Sequence, residues 1–172
     1  MASGKTLRPG AGERISVGEL QVDVKVSAAD SPTTSTFEVR VPPGFDVGAH
    51  RHQQAEELFY VLDGELDLLA FEPISYDGPN WRTWRSASGE RTLRAGPGCL
   101  IYVPPGCPHA FANSGTAVAT MLFQASPAGH EKYFQELAEI VARHGGPDPQ
   151  SVAGLRERHG IEQLSDIAVP TR

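Results

Sequence analysis

The sequence predicts an all-β fold, an antiparallel sandwich or barrel with a short C-terminal helical extension. Three observations predict it. Short runs between residues 15 and 126 alternate apolar and polar residues, the two-residue period of a half-buried strand. The 18 glycines and 14 prolines of this 172-residue chain supply the many tight turns that short strands need. Only past residue 127 does the apolar spacing lengthen to that of a helix.

The elements follow in chain order. Residues 1–13 are polar and rich in Gly and Pro, and read as a flexible N-terminus. In ISVGELQVDVKV (15–26) Leu20, Val22, Val24 and Val26 share a face, and in TFEVRV (36–41) so do Phe37, Val39 and Val41. ELFYVLDGELDLLAF (57–71) reads as two strands joined by an Asp63-Gly64 hairpin turn. Residues 72–91 break the rhythm and predict a long loop or irregular hairpin, in which Tyr76, Trp81 and Trp84 either wall a pocket or anchor the loop. Strands resume at 92–106, 109–115 and 117–126, giving eight or nine in all. The barrel thus spans 14–126 and the helical tail 127–172. In the tail, Tyr133, Phe134, Leu137, Ile140 and Val141 recur at helical spacing, and Asp148-Pro149 opens a second helix. The tail is expected to pack on the outside, with His130, His144 and His159 at helix ends or on the surface.

Composition narrows the function. A net charge of −6 with no basic stripe argues against a nucleic-acid partner. No apolar run reaches membrane-spanning length, and the N-terminus lacks the apolar core of a signal peptide, so no membrane partner and a cytoplasmic location are expected. Two cysteines, Cys99 and Cys107, make no disulfide framework.

The chemistry concentrates in GFDVGAHRHQQAEELFYVLDG (44–64). His50 and His52, two apart on a strand, point to one side. Glu57 opens the next strand on the same face as Phe59 and Val61. Burying two imidazoles and a carboxylate is costly unless something pairs with them, and a divalent cation does. His109, just after the VPPGC turn, is the candidate fourth ligand. Three imidazoles and one carboxylate suit Fe, Mn, Co, Ni, Cu or Zn, and leave positions open on an octahedral ion. An HxH pair alone is common on surface strands; its combination with Glu57 and His109 sets this one apart.

These residues resemble the two cupin motifs. The first runs Gly, five residues, His-x-His, three or four residues, Glu, six residues, Gly, matched here by Gly44, His50, His52, Glu57 and Gly64. The second runs Gly, five residues, Pro-x-Gly, two residues, His, three residues, Asn, matched by Gly98, Pro104, Gly106, His109 and Asn113. The resemblance implies a jelly-roll β-barrel (double-stranded β-helix) with a single motif pair, a monocupin. It implies one divalent transition metal held by His50, His52, Glu57 and His109, with Glu56 left out. It also implies a homodimer, with residues 20–26 as a strand that copies exchange. Residues 127–149 resemble, less specifically, the tail of small cupins likened to quercetin dioxygenases.

An apolar interior beside a metal suits a small aromatic or enol-type substrate. Phe59, Val61, Phe111, Met121, Phe123, Trp81 and Trp84 are the candidate pocket residues, and Glu57 the candidate catalytic base. Three functions fit: a dioxygenase of flavonol-like enols, a polyketide-type cyclase or isomerase using the metal as Lewis acid, and a non-catalytic small-molecule or metal-binding module. The first is the leading expectation.

Overall fold

The computed structural model describes residues 4–78 and 80–166. Eleven strands appear: β1 (Glu13–Val17), β2 (Leu20–Val26), β3 (Ser35–Val41), β4 (His50–His52), β5 (Glu56–Asp63), β6 (Leu66–Ala70), β7 (Leu93–Ala95), β8 (Leu100–Val103), β9 (His109–Ala112), β10 (Ala119–Ser126) and β11 (Ile161–Gln163). Two helices, α1 (Glu131–His144) and α2 (Pro149–Arg158), lie between β10 and β11. The strands form two antiparallel sheets, ordered β1-β2-β3-β10-β5-β8 and β11-β4-β9-β6-β7. This is the jelly-roll barrel that the sequence implied.

The large sheet folds as its alternation dictates. On β3, Ser35, Phe37, Val39 and Val41 are buried, and on β10 Ala119, Met121, Phe123 and Ala125 are. Register places Phe123 opposite Phe37 on one side and Phe59 on the other. The three rings stack, with centroids 5.4 Å apart for Phe37–Phe123 and 5.0 Å for Phe59–Phe123. Such pairs add about 0.5–1.5 kcal/mol each beyond their burial. This ladder is the apolar floor of the interior.

Gly18, at φ +59°, turns the chain between β1 and β2, so β2 begins at Leu20. Two local expectations change. The Asp63-Gly64 turn makes no hairpin: β5 lies in one sheet and β6 in the other. Gly64 carries the chain across at φ +73°, so close to β10 that a Cβ there would lie 2.8 Å from Ala119 Cα. The tail, finally, is not external. α1 packs its apolar stripe over the barrel mouth, and β11 pairs with β4 as an added edge strand.

The segment between β6 and β7 lies on the outer face of the small sheet. Trp81 and Trp84 are buried there against Ala49, Leu69, Phe71, Ala110 and Ala112, a second apolar cluster. This explains why β6 is buried on both faces: Leu66 and Leu68 face the main core, and Leu69 faces the tryptophans. Arg82 clamps the layer by donating to Asp46 at 2.8 Å and Asp67 at 3.0 Å, while Trp81 Nε1 donates to Asp46 at 2.9 Å.

Candidate metal centre

Four side chains from both sheets converge inside the barrel. His50 and His52 project from β4 and His109 from its neighbour β9, where His50 and His109 are register partners. Glu57 reaches across from β5 in the opposite sheet. All four are buried, and their ligand atoms lie within 4.8 Å of one another. No other cluster of this kind occurs among the described residues.

Hydrogen bonds fix how the rings are presented. His50 Nδ1 lies 2.9 Å from the Gly48 carbonyl and His109 Nδ1 lies 3.0 Å from the Cys107 carbonyl. A carbonyl only accepts, so each Nδ1 carries a proton, and in the neutral ring each Nε2 presents a lone pair inward. His109 Nε2 then faces Glu57 Oε2 at 2.9 Å, and His52 Nε2 faces Glu57 Oε1 at 3.1 Å. Both nitrogens are buried without a hydrogen-bond donor. With His109 neutral, lone pair faces lone pair, an arrangement that a cation among them resolves. The donor set therefore fits a divalent transition metal.

Electrostatics agree. Burial alone would raise the Glu57 carboxyl, but positive charge on its His52 and His109 side, from a ring proton or a bound cation, holds it well below the usual range, as a carboxylate. Burial pushes His50 well below its ordinary value, as a neutral ligand.

The centre opens onto a cavity of about 550 Å³. Phe59, Phe111, Met121 and Phe123 line it. Val61 is fully buried in the core and is not among the lining residues, and Trp81 and Trp84 sit on the far side of the small sheet. Both tryptophans take the anchoring alternative, because the apolar outer face of β6 and β9 needs a cover. Glu56 is exposed and accepts a hydrogen bond from the Tyr102 hydroxyl at 2.7 Å. Asn113 is a turn clamp: its amide donates to the Val41 and Ala117 carbonyls, each at 2.8 Å. Cys107 contributes its carbonyl to His109, not its thiol to the cluster.

The tail also contributes to the cavity, which no sequence motif signals. His130, Tyr133 and Phe134 of the α1 segment and Arg156 of α2 all line the cavity. His130 packs against Phe123 (5.2 Å between centroids) and lies 5.8 Å from the His52 ring. Burial pushes it down to about 4, so at neutral pH it is an uncharged imidazole facing the cavity. The helical stripe of α1 was visible in the sequence, but nothing local said that it caps the barrel.

Comparison with known proteins decides the family. The family model described as Cupin matches residues 25–144. The chain is a cupin. Among solved structures, this cupin resembles the polyketide cyclase RemF from Streptomyces resistomycificus, at 21% identity and TM-score 0.54, covering 72% of this chain and 80% of that one. It also resembles KdgF from Halomonas sp., at 16% identity and TM-score 0.53, covering 70% and 92%. At these identities the likeness is one of fold. No curated protein matches the sequence.

Proposed function

We propose that this cupin is a metal-dependent enzyme acting on a small aromatic or enol-type substrate bound in the barrel, with dioxygenase chemistry its leading activity. One observation carries the reading: a buried three-histidine, one-glutamate cluster borders a cavity walled by stacked phenylalanines. His50, His52, Glu57 and His109 would hold one divalent transition metal, which when bound supplies a Lewis acid and, for a redox-active ion, an electron relay. The rings of Phe59, Phe111 and Phe123 orient a planar substrate and exclude water. Glu57, ionised, is the candidate acceptor for the acidic proton of an enol.

Oxygen uptake tests this. Protein loaded separately with iron, nickel, manganese, cobalt or copper should consume oxygen with a flavonol or a comparable enol, and His109→Ala should not. Absence of uptake with all five metals overturns the dioxygenase reading. A second reading, redox-neutral cyclisation or isomerisation, draws support from His130, an uncharged imidazole placed to move a proton inside the cavity. It predicts product from a polyketide-type enol under argon. Ligand binding without turnover would leave a non-catalytic module. A cytoplasmic location and a homodimer remain proposals; the two free cysteines are consistent with a reducing compartment.

A further inference from the structure

Arg156 stands apart from every other arginine that the fold buries or half-buries. It is 4% exposed, lines the cavity, and has no carboxylate partner among the described residues. Its Nη2 donates to the Val47 carbonyl at 2.7 Å and its Nε to the Tyr133 hydroxyl at 3.3 Å. Its Nη1 donates to the Gln163 side chain. All three acceptors are neutral. They also set its position, because Val47 lies three residues before His50 and Gln163 is the β11 register partner of His50.

The surroundings do not neutralise this charge. Of the acidic residues lining the cavity, Asp46 is committed to Arg82. Glu57 lies between His52 and His109. Glu19 is exposed. A buried arginine keeps its charge across the physiological pH range, and such a charge is normally paired. Two of its five N–H groups also remain beyond the three bonds just named.

We infer that the cavity takes an oxyanion on an apolar aromatic body, a carboxylate or an ionised enol, and that Arg156 holds the negative oxygen beside the histidine cluster. This names the substrate class of the enzyme proposed above and rests on that reading. Arg156 is a binding residue here, while Phe59, Phe111 and Phe123 receive the ring system. A purely structural Arg156, stapling α2 to the loop before β4, would not care whether the ligand is charged.

The test uses the purified full chain and a matched pair of probes, 2-naphthoate and the neutral 2-naphthamide, with binding followed by calorimetry. The wild-type protein should prefer the acid by about tenfold or more, since an added charge-assisted hydrogen bond is worth that much. Arg156→Lys should keep the preference and Arg156→Met should abolish it. Should Arg156→Met fail to fold, Arg156→Gln takes its place with the same expected loss, and the wild-type measurement is repeated after chelation. A preference that survives chelation belongs to the protein's own cation, whereas one that vanishes with the metal overturns the assignment. Equal binding of the two probes by the wild type, or a preference retained in Arg156→Met, overturns it too. A 1-naphthol arm separates the sources of charge: binding that strengthens above the naphthol's own ionisation points to an enolate, and binding of naphthoate alone to a carboxylate. Failure of the enzyme reading would show as missing turnover with the charge preference intact.

Discussion

Asp46→Ala is the perturbation that couples the outer layer to the centre. Asp46 Oδ1 accepts from the Gly48 N–H at 2.8 Å and from Trp81 Nε1 at 2.9 Å, and Oδ2 accepts from Arg82 at 2.8 Å. Trp81 is 1% exposed, so its N–H has no water to fall back on. Hydrogen bonds to a buried carboxylate are worth ~1.5 kcal/mol or more each. The Arg82 side chain is 29% exposed and its contribution is discounted to ~1 kcal/mol. The sum is about 4 kcal/mol, equivalent to roughly 10 °C in Tm for a chain of this size. Asp46→Asn keeps one oxygen for Gly48 and Trp81 and loses the charge toward Arg82, so it should cost about 1–2 kcal/mol. Urea unfolding of the three proteins in chelator measures both steps. The same loop carries the Gly48 carbonyl that orients His50, so Asp46→Ala should also weaken metal affinity by about tenfold. An Asp46→Ala protein within ~1 kcal/mol of wild type, or an Asn variant as damaged as the Ala variant, would refute the clamp.

Three further outcomes are expected. Gly64→Ala forces a left-handed conformation and drives a Cβ to 2.8 Å from Ala119 Cα; together these should cost ~3 kcal/mol in urea unfolding, and a loss under ~1 kcal/mol would contradict the sheet-crossing role. Burial pushes His130 in the folded protein down to about 4 from its ordinary 6.5, so the unfolded chain binds its proton first as pH falls. Wild-type apoprotein should therefore be unaffected by this group above 6.5 and lose up to ~3 kcal/mol between 6.5 and 4 relative to His130→Leu; parallel pH profiles of the two would show that His130 is not held neutral. Phe123→Ala removes the centre of the stacked ladder and should cost ~3–5 kcal/mol by chemical denaturation while weakening aromatic probes in the cavity.

The barrel and its four convergent side chains were legible because they rest on local periodicity and fixed spacing. His50 and His52 needed only the strand period to share a face, and Glu57 with His109 only the intervals of the two motifs. What stayed hidden depends on contacts far apart in the chain. Asp63-Gly64 has the composition of a hairpin, yet the second strand pairs in the other sheet, where β9 and β7 are its partners. Trp81 and Trp84 are amphipathic enough for a pocket or an anchor, and only the apolar outer face of β6 and β9 decides. Arg156 looks like one more charge on a C-terminal helix, with acidic neighbours in sequence. Its burial follows from β11 docking on β4, a three-residue pairing with no local signal.

The central claim is that His50, His52, Glu57 and His109 hold one metal, and elemental analysis of purified wild type and His50→Ala tests it most directly. Wild type should carry about one transition-metal ion per chain, and His50→Ala far less at an unchanged circular dichroism spectrum. A His50→Ala protein that keeps its full metal content would contradict the four-residue centre.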